Sequence, residues 1–138
     1  MKLFLRSKSL FFRISFIGII LFGQSGCFHL SDDGQTKPIL THIVLCWLKE
    51  PGNNSQQQEI IEMTESFRDI PSVLDARAGR TIKSDRSIVD DSFDVGIVVE
   101  VRNEVDLKKY LEHPIHQNAK KEVLLPLVDR VLVYDFSK

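Results

Sequence analysis

The chain is 138 residues long, and 18 Lys and Arg against 19 Asp and Glu leave it at a formal charge of −1. That balance supplies no clustered basic stripe with interleaved aromatics, which removes nucleic acid from the expected partners. Once a 26-residue N-terminal targeting segment is set aside, 112 residues remain, a size for one compact domain and not two.

Lys2, Arg6, Lys8 and Arg13 make a basic start, and residues 14–22 follow as an apolar run. The run is too short to span a bilayer and fits the hydrophobic region of a signal peptide. The junction Gln24-Ser25-Gly26-Cys27 is similar to a bacterial lipoprotein processing site, with small residues before the cysteine that takes the lipid; Gln24 stands where leucine is usual. The expectation is removal of residues 1–26, acylation of Cys27, and an exported lipoprotein held to the membrane on its periplasmic face or at the cell surface. After Cys27 the composition turns polar and aperiodic, so residues 27–38 read as a linker to a domain spanning residues 39–138. Cys46 is the only other cysteine. No basic residue is spaced to lower its pKa, and it reads as a small apolar core residue.

Residues 39–49 form the first expected strand. Its two faces, Leu40, His42, Val44, Cys46 and Leu48 against Ile39, Thr41, Ile43, Leu45 and Trp47, are both largely apolar, so both sides of the sheet need cover. Pro51-Gly52-Asn53-Asn54 is a turn, and Ser55 with Gln58 reads as a capping box. The helix that follows runs to about residue 69, with Ile60, Met63, Thr64 and Phe67 at helical spacing and Glu59, Glu62 and Glu65 on a solvated face. Ile70-Pro71 ends it. Residues 73–82 alternate as a strand in which Gly79 is expected to mark a bulge or a close backbone approach. A charged loop, residues 83–92, is of a length that often flanks a site. Residues 93–101 are a β-branched strand, Asn103 caps a helix through Leu111, Pro114 opens a second helical piece to about residue 125, and residues 129–136 close as a strand. The order βαββαβ, a four-stranded antiparallel sheet with helices on one face, is an α+β fold of the ferredoxin-like kind. The second apolar face of that sheet is bare in a monomer, which predicts a homodimer.

The densest chemistry lies in Tyr110-Leu111-Glu112-His113-Pro114-Ile115-His116, which holds two of the four histidines and one of the two tyrosines. Pro114 removes a donor and forces His113 out of the helical region, so Tyr110 and His116 sit on opposite sides of a corner and are expected to face one cavity. Histidine is the side chain that works as a base near neutrality, so any acid/base chemistry is to be sought in this stretch. His42, His113 and Trp47 are candidate ligand-binding residues. Each has a plainer reading: His113 as a ring capping a backbone group, His116 as a satisfied pocket histidine, Tyr110 and Trp47 as core or cavity lining. His113 and His116, at i and i+3, would reach one metal ion, but no third ligand is spaced nearby and no metal is expected. No glycine loop for phosphate and no flavin fingerprint is present, so no cofactor is expected.

The pattern Tyr110-x-x-His113-Pro114-x-His116, followed some ten residues later by an apolar strand ending Tyr134-Asp135-Phe136, resembles the stress-responsive A/B barrel, or Dabb, family. His42-Ile43-Val44-Leu45, Ile70-Pro71-Ser72-Val73 and Ala78-Gly79-Arg80 are similar to that family's first strand, helix-to-strand corner and second strand. The resemblance runs over residues 39–136. It implies a homodimeric α/β barrel in which two sheets enclose a β-barrel. A plant polyketide cyclase in the family folds a poly-β-ketone by acid/base chemistry. By motif, the resemblance makes His116 the general base, Tyr110 the group that holds a substrate oxygen, and His42 a pocket histidine; Val95 stands where that cyclase has a further histidine. Three functions follow as expectations. The first is an envelope-tethered module that binds a small hydrophobic or aromatic ligand or accompanies a stress response. The second is an enzyme, cyclase- or lyase-like or resembling a cofactor-light monooxygenase. The third is a structural dimer without ligand.

Overall fold

The computed structural model describes residues 39–138. The targeting segment, Cys27 and the linker lie outside the described residues. Strand β1 (Leu40–Leu48) leads to helix α1 (Asn54–Glu65), whose end tightens into a 3₁₀ turn over Ser66–Asp69. Strands β2 (Val73–Arg80) and β3 (Val95–Val101) follow, then helices α2 (Glu104–Glu112) and α3 (Pro114–Ala119), and strand β4 (Val128–Ser137). The strands form one antiparallel sheet in the order β2-β3-β1-β4. This is the ferredoxin-like βαββαβ arrangement that the sequence predicts.

Alternation builds the core. Leu40, Val44, Cys46 and Leu48 of β1 and Val95, Ile97, Val99 and Val101 of β3 share one face in register, and Ile60, Phe67, Ile70 and Tyr110 pack over them from the helices and their connections. Each such aliphatic side chain contributes about 1.5–3 kcal/mol when fully buried. Cys46 is fully buried, which pushes its thiol up to about 12 and keeps it protonated. Glu59, Glu62 and Glu65 are exposed, as their spacing predicts.

Three local details differ from the expectation. The N-cap of α1 is Asn53, whose side chain accepts from the amides of Ser55 and Gln56 at 3.1 Å, so Ser55 and Gln58 form no capping box. Gly52 at φ 76° makes the turn that delivers Asn53 to the capping position. The bulge in β2 lies between Val73 and Asp75, while a Cβ at Gly79 would meet open space. The helical piece after Pro114 also does not run evenly to residue 125: it becomes a π turn over Lys120–Leu124 and then a short α turn, Leu125–Leu127. Pro126 supplies no backbone N–H there, so the preceding turn cannot keep the regular α pattern.

Buried Asp94 ties the helical layer to the sheet. Its carboxylate accepts from the amides of Leu48 at 2.9 Å and Gly52 at 2.7 Å and from Gln57 Nε2 at 3.4 Å, which pins the start of α1 against the end of β1. Strand β4 is left bare on both sides. Leu132, Tyr134 and Phe136 pair with Leu45, Ile43 and Thr41 on the face away from the helices, and Val131 and Val133 point to the helical side; all five are exposed.

Candidate functional site

Helix α2 presents Tyr110 to the core from its last full turn, and the chain turns where Pro114 breaks the helix. His113 holds the corner in extended conformation (φ −67°, ψ 139°). Its Nδ1 accepts from the Ile115 amide at 3.3 Å, so the ring caps α3 as the plainer reading has it. His116 then lies in the first turns of α3, with its ring centroid 4.6 Å from that of Tyr110. Phe67 stands edge-on to Tyr110 at 5.5 Å and lies 5.7 Å from His116, wedging the pair from the side of α1. Such aromatic contacts contribute about 0.5–1.5 kcal/mol beyond burial and fix the ring orientations.

His42 enters the same cluster from the centre of the sheet, 5.9 Å from Tyr110 in an edge-to-face arrangement. Its Nδ1 lies 2.6 Å from Asp135 Oδ1 on the neighbouring strand. An ionised carboxylate only accepts, so Nδ1 donates and Nε2 is the nitrogen left over. The same logic applies to His116, whose Nδ1 donates to the Leu111 carbonyl at 3.0 Å. Burial lowers the pKa of His116 below the usual 6.5, with smaller contributions in the same direction from His42 and Lys120, while the Leu111 bond works against them. Neutral His116 therefore carries its lone pair on Nε2. Tyr110 is buried and its phenol is pushed up by desolvation, so it stays protonated. Its hydroxyl is a donor with no partner among the described hydrogen bonds.

These groups line a cavity of about 30 Å³ with Val44, Met63, Phe67, Ile97, Lys120 and Leu124. That is room for about two water-sized groups, whereas pockets that enclose a whole small molecule are of order 300–1,000 Å³. Only the polar end of a ligand fits as the walls stand. The folding of a poly-β-ketone would need the wall made by α3 and the π turn to move.

His42, Tyr110 and His116 thus come together as the motif implies, and Trp47 and His113 do not join them. Trp47 lies on the opposite sheet face, where its Nε1 donates to Ser92 Oγ at 3.1 Å and the Arg130 guanidinium stacks 3.5 Å over its ring. His113 faces a separate open cleft of about 410 Å³ with Ile70, Pro71, Ser72, Lys109 and Glu112. The two histidines of the His113-x-x-His116 pair line different cavities. Asp135 is the residue that sequence reasoning misses; it stands in the Tyr134-Asp135-Phe136 strand end, but its partner is 93 positions away.

Residues 40–138 match the profile of the Stress responsive A/B Barrel Domain, or Dabb. The chain belongs to this Dabb family. Its fold is similar to that of a Dabb family protein from Mesorhizobium loti, with 18% identity over 72% of this chain and 95% of the other at a TM-score of 0.59. It is also similar to a dimeric protein of unknown function from Bacteroides fragilis (20% identity, 72% and 96% covered, TM-score 0.60). A third likeness is to hydroxynitrile lyase from Passiflora edulis (19% identity, 72% and 93% covered, TM-score 0.62). Likeness at these identities establishes the Dabb fold and leaves activity to the site itself. No curated protein matches the sequence at a significant level.

Proposed function

We propose that the protein is a homodimeric binding domain, held at the cell envelope through Cys27, that takes the polar end of a small molecule between its sheet and its helices. The observation that carries this reading is the cluster of Tyr110, His116 and His42: three polar side chains converge on one small cavity with a hydroxyl and two ring nitrogens unused. A purely structural core has no need of three convergent polar groups there, and apolar side chains of similar size would fill the space. The homodimer is supported by β4, which is apolar and exposed on both sides, and by the dimeric description of the protein from Bacteroides fragilis.

Native mass spectrometry of protein purified without denaturation tests the binding reading. Two chains plus a retained small molecule are expected, and His116→Ala with Tyr110→Phe should lose that mass. Retention by the double variant would move the ligand elsewhere. The N-terminus is tested in the same measurement, since the tether requires a chain that starts at acylated Cys27; an unmodified start removes it.

A second reading is acid/base catalysis of the lyase kind, favoured by the Asp135–His42 bond. A carboxylate that fixes an imidazole and leaves Nε2 free is how a general base is held in place. The likeness to the Passiflora edulis lyase makes a cyanohydrin the natural probe. Release of aldehyde from mandelonitrile that falls by about 10²-fold or more in His116→Ala or His42→Ala would establish this reading. A rate no higher than that without protein would leave binding alone.

A further inference from the structure

The cavity has a second polar feature at its mouth. Lys120 lies one helical turn beyond His116, and residues four apart share a helix face. Both line the cavity, and the ammonium is near enough for its charge to oppose protonation of His116. Among the described residues Lys120 has no carboxylate or carbonyl partner, like Lys121 and Lys138 and unlike Lys49, Lys83, Lys108 and Lys109, but of these lysines it alone lines the cavity. No Asp or Glu among the described residues lines this cavity. The carboxylate beside it, Asp135, lies behind His42 and is occupied by Nδ1.

The inventory of the site therefore has two halves. Lys120 donates only, with a full charge, and the protonated Tyr110 hydroxyl donates to an oxygen as well. Nε2 of neutral His116 accepts a hydrogen bond from a hydroxyl, and Nε2 of His42 is the ring nitrogen that Asp135 leaves unused. About 30 Å³ admits only the polar end of a head group, so the body of the ligand stays outside the cavity as the walls stand. From this we infer that the ligand is a small hydroxy acid, whose carboxylate meets Lys120 and Tyr110 and whose hydroxyl meets an imidazole, and that Lys120 selects for the anion. The inference rests on the binding reading above and names the ligand class for it.

Three probes with one aromatic body separate the two claims: mandelate carries carboxylate and hydroxyl, phenylacetate lacks the hydroxyl, and mandelamide lacks the charge. Each is titrated into isotope-labelled full-length protein, and the Tyr110 ring and the His42 and His116 imidazoles are followed by NMR. Mandelate should bind most tightly. Lys120→Met and Lys120→Gln, both at an exposed position, should weaken mandelate and phenylacetate by about tenfold, the size of effect expected for one charge-assisted hydrogen bond, and mandelamide by distinctly less. Mandelamide binding as tightly as mandelate, or mandelate affinity unaltered in both Lys120 variants, overturns the hydroxy-acid inference while the cavity stays a binding site. If none of the three moves the Tyr110, His42 or His116 signals, the binding reading falls with it.

Discussion

His116 has a burial that can be weighed against its charge. Desolvation holds its folded pKa below 6.5, so at acid pH the unfolded chain binds a proton that the folded chain resists. Its contribution to stability is complete above about pH 6.5 and is lost as pH falls through the lower, folded value. A His116→Gln variant should therefore lose less melting temperature than the wild type between pH 7 and pH 5. Parallel Tm-against-pH curves for the two proteins would show that the ring charges freely and is not buried in this sense. The neighbouring Asp135 shows why one site residue was not legible in the sequence. Tyr110 and His116 are six positions apart and Pro114 announces the corner between them, so local rules suffice to bring them together. Asp135 meets His42 only through the pairing of β4 with β1, and register between distant strands is written in no short motif.

At the level of elements, alternation in β1 and β3 and the break at Pro114 were readable because each follows from one local preference. The start of α1 was misread because two polar residues compete for the cap. Gly52 has the positive φ that places Asn53, not Ser55, just outside the first turn, and Asn103 caps α2 in the same way by accepting from the Asp106 amide at 3.0 Å. Asn53→Ala should accordingly cost about 1 kcal/mol in chemical denaturation, and Ser55→Ala only a few tenths. Equal losses would return the cap to Ser55. The π turn over Lys120–Leu124 escaped sequence reading for another reason. Helical periodicity continues through it, and the disturbance comes from Pro126 after the segment. The turn matters to the site, since Lys120 and Leu124 are both part of it.

For the whole molecule, the fold class was legible because one sheet face calls for helices and the other for a partner. Leu132, Tyr134 and Phe136 lie on that second face, and burying a few hundred Å² of such surface contributes about 25 cal/mol per Å² before the cost of association. Light scattering on residues 39–138, which contain every core residue named above, should give twice the chain mass at micromolar concentration. Phe136→Asp should halve it, and a wild-type monomer would refute the assembly. Strand β4 also carries the site, because Asp135 points inward to His42 from between Tyr134 and Phe136, which point outward. Among the described strands it is an edge strand, paired only with β1. Docking of a second chain against Tyr134 and Phe136 would steady the backbone on which Asp135 rides. Ligand affinity and self-association would then be two readings of one free energy, so that dilution weakens the ligand and the ligand resists dilution to the same degree.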